Sequence, residues 1–143
     1  MSKLINPFAN VDFGIKPIKK SKQFRKVKVE FFVDSLNINQ DKLASNLTLD
    51  VLFYLDIKGD ETIQEIENKG FKYWSKLTDM DDFVKYIQRL YIKPLLKYLD
   101  KNAKLFLFEV SDPSLYYLTK NKAIYKFQVF IETQHKKYLK DTK

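Results

Sequence analysis

The chain has no cysteine and one histidine among its 143 residues. The first absence removes disulfides, thiolate metal sites and cysteine nucleophiles. The second leaves a histidine-cornered metal site, a Ser-His-Asp triad and a histidine general base short of parts, because the single His135 stands close to the C-terminal end. Glycine occurs only at positions 14, 59 and 70, which excludes a glycine-rich phosphate loop. With 4 prolines added, the chain breakers are too few for a low-complexity or disordered protein. No run approaches 18 apolar residues, and the Met1-Ser2-Lys3 start lacks the apolar stretch of a signal peptide. The expected setting is therefore soluble and cytoplasmic, with no membrane contact, and the inventory assigns no metal and no cofactor.

What the chain does contain is aromatic and basic. It holds 12 Phe and 9 Tyr, which predicts a core of large flat side chains, and its length fits one domain that buries such a core without a structural metal. The net charge of +8 is uneven. Residues 1–28 carry eight basic residues against Asp12 alone, a balance of +7, and residues 120–143 carry seven against Glu132 and Asp141, a balance of +5. The stretch between them holds eleven basic and fifteen acidic residues. The termini are the electrostatic handles. Frequent Lys, Asn, Ile, Tyr and Phe is also what AT-rich coding favours, which suits a bacterium, a phage or a mobile element and accounts for part of the lysine excess.

Periodicity sets the element order. Met80, Phe83, Val84, Ile87, Leu90, Tyr91, Leu95 and Tyr98 recur at steps of three and four, predicting a helix over 78–102 that starts at Thr78 and is either kinked at Pro94 or divided into two helices meeting near Lys93. A weaker pattern predicts a first helix over 60–77, ended or bent by Gly70. Period-two alternation predicts strands from Lys26, over 47–58, over 104–110 and over 123–133, with a short strand or irregular crossing at 115–119 and a polar connection at 37–46. The reading is a single α+β domain over 26–133 in ββααββ order, an antiparallel sheet with helices packed on one face. An extended basic arm (1–25), broken by Pro7, Gly14 and Pro17, precedes it, and a basic tail (134–143) follows. The order is similar to that of the tunnelling-fold pterin and purine enzymes. Their histidine ligand pattern is absent here, so the similarity stops at topology.

Two surfaces emerge as candidates. Lys16, Lys19, Lys20, Lys22, Arg25, Lys26 and Lys28 follow one another without an acid, and Lys136 and Lys137 echo them at the other end, a pattern suited to nucleic-acid phosphates. Phe32, Leu52, Tyr54, Phe106 and Phe130 belong to the sheet face turned from the helices, where they would form a subunit interface or a stacking platform. Lys85, Arg89, Lys93, Lys97 and Lys101 form an i, i+4 row that reads first as the solvent face of an amphipathic helix. Asp79, Asp81 and Asp82 suit a helix N-terminus better than a magnesium site, and a catalytic cluster of Asp34, Asp50 and Asp56 with Glu109 or Glu132 needs a particular strand register. The expected protein is non-enzymatic, nucleic-acid-associated and homo-oligomeric. The competing expectation is an assembly or adaptor protein that binds protein partners through the arm and the aromatic face.

Overall fold

The computed structural model describes residues 20–39, 44–94 and 103–135. Alternating apolar residues build a six-stranded antiparallel sheet from β1 (Lys20–Phe24), β2 (Val27–Asn39), β3 (Ala44–Asp56), β4 (Ala103–Val110), β5 (Ser114–Leu118) and β6 (Lys122–His135). Their order across the sheet is β1-β2-β3-β6, with β4 and β5 both paired to the outer edge of β6. The two behave as one interrupted strand. β4 pairs with Val129–His135 and β5 with 123–126, while the Ser111 amide bridges the gap by donating to the Gln128 carbonyl. Register shifts at Leu105/Leu107 and Leu115/Tyr117 make this edge irregular.

Helices α1 (Ile63–Thr78) and α2 (Asp81–Ile87) carry the chain from β3 past β6 to β4 and cover one sheet face. Val29, Phe31, Leu49, Val51, Phe53, Phe127, Val129 and Ile131 on that face are almost fully buried against Ile66, Leu77, Phe83, Ile87 and Tyr91. Aromatic rings join the layers: Phe31 meets Phe83, Phe53 meets Tyr73, and Trp74 and Phe83 both meet Phe127. Two tyrosines also reach across with their hydroxyls. Tyr125 donates to the Ile66 carbonyl at 2.7 Å and Tyr73 to the Phe24 carbonyl at 2.8 Å. The α+β class and the single helical layer thus follow from the alternation in the strands.

Several boundaries differ from the sequence expectation. Lys20–Phe24, expected in the arm, forms β1 against β2, because Phe24 is apolar enough to be buried among Phe31, Phe83 and Tyr86. The polar connection at 37–46 is largely strand: Asn37 and Asn46 face each other on the outer side while Leu36, Ile38 and Leu47 are buried. β6 runs on to His135, two residues into the expected tail. Gly70 does not end α1, which runs on to Thr78, and its reason for being glycine is packing against Tyr125.

The main helix also starts later than expected. Thr78 is the last residue of α1, and its hydroxyl donates back to the Trp74 carbonyl at 2.9 Å instead of capping a new helix. Met80 precedes α2 without a side-chain cap, whereas Thr62 and Glu65 form a reciprocal capping box at α1. After Ile87 the chain widens into a π-helical turn over Gln88–Ile92, closed by the Lys93 amide on the Gln88 carbonyl. Pro94 explains the widening, since it has no N–H for Leu90 and its ring would crowd that carbonyl in an α-helix. The turn rotates the apolar face, so Tyr86 and Ile92 are buried alongside Phe83, Ile87 and Tyr91. Leu95, Lys97, Tyr98 and Lys101 lie outside the described residues, as do Pro7, Gly14 and Pro17 of the arm.

Candidate functional site

The β1–β2 connection is a two-residue turn in which Phe24 pairs with Val27. Arg25 and Lys26 both have positive φ, 54° and 69°, the conformation that a tight hairpin needs at its two central positions and that asparagine and glycine adopt most cheaply. Two long, exposed cations are thus projected from the tip of the hairpin. Among the described residues neither has a carboxylate partner.

The tip forms one wall of an open cleft of about 630 Å³. Arg25, Lys26 and Lys28 enter it from the hairpin, Lys122 from the start of β6 and Lys69 from α1, together with Tyr54 and one acid, Asp56. Glu61 holds Lys69 at 2.7 Å and Asp56 holds Lys122, so these two lysines are positioned rather than loose. The hydrogen bond from Lys122 keeps the Asp56 carboxyl below its usual range, and the one from Lys69 does the same for Glu61. Both acids stay charged and hold the cations in place over the ordinary pH range.

Register continues this cleft onto the sheet face turned from the helices. Lys28, Tyr54, Ile124 and Tyr117 occupy one row across β2, β3, β6 and β5. The next row holds Glu30, Leu52, Lys126 and Ser114. Glu30 is only 2% exposed, accepts a 2.5 Å hydrogen bond from the Tyr54 hydroxyl and lies 3.2 Å from the Lys28 ammonium. Burial, with the hydrogen bond to Glu30 and its charge adding, pushes the Tyr54 hydroxyl up to about 12. The Lys28 ammonium also sits 5.2 Å above the Tyr54 ring.

Charge on this face is segregated. The end nearest the hairpin tip carries Arg25, Lys26, Lys28, Lys122 and Lys126 against Glu30 and Asp56. The opposite end carries Asp34, Glu109 and Glu132, and Asp50 stands at the border, 3.9 Å from the Lys126 ammonium. Asp50 accepts from the Gln128 amide at 2.8 Å and is separated from Asp56 by six residues of one strand, roughly 20 Å. The carboxylates are therefore spread along the face. Among the described residues no group of three or more His, Asp or Glu is placed to hold a metal ion.

The nominated residues distribute unevenly over this geometry. Arg25, Lys26 and Lys28 meet in the cleft. Lys22 turns to the helical side, where its ammonium lies 5.8 Å from the Phe24 ring and 5.7 Å from the Tyr86 ring, and Lys20 is half-buried. The continuous basic run is thus split between two faces by strand alternation. Lys16, Lys19, Lys136 and Lys137 lie outside the described residues, and so does the side chain of Phe106. Phe32, Leu52, Tyr54 and Phe130 lie on the expected face but are half-buried. Among the described residues the large exposed hydrophobic groups are others: Tyr116 (59%), Tyr117 (62%) and Leu118 on β5, and Ile63 and Phe71 on α1.

Lys69, Lys122, Tyr116 and Tyr117 were not nominated from the sequence. The two lysines come from elements distant in sequence, which only the folded chain brings together. The tyrosines did leave a signal, since two consecutive aromatics interrupt a period of two and mark the bulge at Leu115/Tyr117. Among the described residues no helix is long and apolar enough to cross a membrane. No protein-family model, curated protein or solved structure matches the chain.

Proposed function

We propose that the chain is a small non-enzymatic nucleic-acid-associated protein that contacts phosphates through its β1–β2 hairpin tip and the cations around it. The observation that carries this reading is the convergence of Arg25, Lys26, Lys28, Lys69 and Lys122 on one cleft lined by a single acid. Ammonium and guanidinium groups spaced along an open surface suit a repeated anion, and the exposed pair at the tip, with no carboxylate partner among the described residues, is available to it. The test is binding of labelled DNA and RNA across a salt series. Five phosphate contacts predict a loss on the order of 10²- to 10³-fold between about 50 and 200 mM salt. Arg25→Gln with Lys26→Gln should flatten the log–log slope by about 2. Binding that ignores salt and this double substitution would overturn the reading.

A second reading is protein assembly, including a homo-oligomer. It is favoured by Phe71, 53% exposed on α1, and by Leu118, exposed on the outermost strand of the sheet, since apolar groups beside a sheet edge are what a partner chain covers. Light scattering distinguishes it: a mass above one chain that falls with Phe71→Ser supports assembly through this edge.

A further inference from the structure

Nothing in phosphate contact alone calls for the exposed tyrosines of β5. Leu115 pairs with Tyr125 on the buried side and Tyr117 with Ile124 on the outer side, so the bulge at Tyr116 sends two adjacent rings to the outer face. Lys126 confirms the direction of Tyr116, because its ammonium lies 5.5 Å from that ring. Tyr117 shares its row with Ile124 and Tyr54, and Lys28 lies over the Tyr54 ring in that same row. Cations and aromatic rings therefore share this part of the face, from the hairpin tip to the sheet edge. Tyr54 and Tyr117 stand two strand spacings apart, roughly 10 Å, with Ile124 between them as an apolar floor.

We infer that this row is a binding track for single-stranded nucleic acid. Bases stack on Tyr116 and Tyr117 and lie over Ile124 and Tyr54, while Arg25, Lys26, Lys28, Lys122 and Lys126 neutralise the phosphates. The chemistry selects an unpaired strand. A duplex offers its phosphates but keeps its base faces inside the stack, whereas a single strand offers both at once. The charge layout fixes where the strand lies. The cationic end of the face attracts it, and Asp34, Glu109 and Glu132 repel it from the other end, so the path runs across the strands and not along them. Stacking on rings tolerates sequence, because every base offers a face.

This inference rests on the phosphate-contact reading, and the experiment separates the two. The full chain is titrated with three labelled probes of about 16 nucleotides: oligothymidine, an abasic strand of the same length and a duplex. The same titrations use Tyr116→Ala with Tyr117→Ala, two exposed positions whose loss spares the core. Oligothymidine should bind about 10-fold or more tighter than the abasic strand, and the double substitution should remove that difference while leaving the abasic strand unchanged. Equal affinity for thymidine and abasic strands, or a double variant that matches the parent on oligothymidine, overturns the track and leaves phosphate contact standing. Failure to bind any probe at low salt overturns both.

Discussion

Gly70 in α1 lies against the ring of Tyr125 in β6, so closely that a Cβ on residue 70 would overlap the ring's edge atoms. The ring is held at two points. It is stacked on Phe53 at 4.9 Å, and its hydroxyl is held by the Ile66 carbonyl. Gly70→Ala should therefore destabilise the fold by about 2 kcal/mol, because overpacking a full core outweighs the roughly 1 kcal/mol that alanine gains inside a helix. Urea denaturation reads this as a lower midpoint at an unchanged slope. A stabilised variant would mean that α1 does not seat on β6 as described.

That contact also marks where sequence reading stops. Alternation in Val29, Phe31, Leu49, Val51, Phe127 and Val129 was enough to place β2, β3 and β6 and to say which side the helices cover. Gly70 looked like a helix breaker because its partner is 55 positions away in sequence, and only packing explains it. The Arg25-Lys26 turn was equally hidden, since neither residue carries ordinary turn chemistry and the charge run masked the break between strands. For the site, the cations of the hairpin were legible one by one. Their division between faces was not, because it depends on a strand that begins at Lys20, and Lys122 joins them only through the sheet's register and Lys69 only through the seating of α1.

Tyr54 and Glu30 offer a test of the outer face that is independent of binding. Replacing Tyr54 with Phe keeps the ring under the Lys28 ammonium and removes one donor from a carboxylate that is 2% exposed. The cost should be about 1–3 kcal/mol of stability, while oligothymidine affinity stays within about 2-fold because the stacking surface remains. Thermal unfolding and anisotropy on the same preparation give both values. A loss of affinity without a loss of stability would place the hydroxyl itself in contact with the strand.

Tyr91, by contrast, should be cheap to change. Its hydroxyl is buried and has no hydrogen-bond partner among the described residues, and burial pushes it up to about 12. Tyr91→Phe removes a polar atom that gains nothing from folding, so stability should hold or rise by up to about 1 kcal/mol. A drop in the urea midpoint would reveal a partner for that hydroxyl.

The tyrosines also set an alkaline limit. Tyr73, Tyr91 and Tyr125 are pushed up to about 12, each chiefly by burial, against an ordinary value near 10 in the unfolded chain. Between those values the unfolded chain has given up protons that the folded one keeps, so stability falls as pH rises. The contribution is complete below pH 10 and is lost on the way to about 12. Urea midpoints should be level at about pH 9 and decline steeply by about pH 11. Phenolate absorbance is the check on the cause: nine tyrosines titrating together near 10 in the folded protein would contradict the burial described.

The hairpin tip joins stability to binding in opposite senses. Arg25 and Lys26 each hold a left-handed backbone that costs a side-chain-bearing residue roughly 1–2 kcal/mol, and Asn-Gly relieves most of it. Arg25→Asn with Lys26→Gly should therefore raise stability by about 1 kcal/mol or more, read as a higher melting temperature. The same change removes the two exposed cations from the cleft, so affinity for every phosphate probe should fall and the salt slope should flatten by about 2. Strained residues kept at a tip where better turn formers fit are the expected signature of a contact site. A variant that is both more stable and undiminished in binding would show that the two side chains are dispensable, and would move the phosphate contacts to Lys28, Lys69, Lys122 and Lys126.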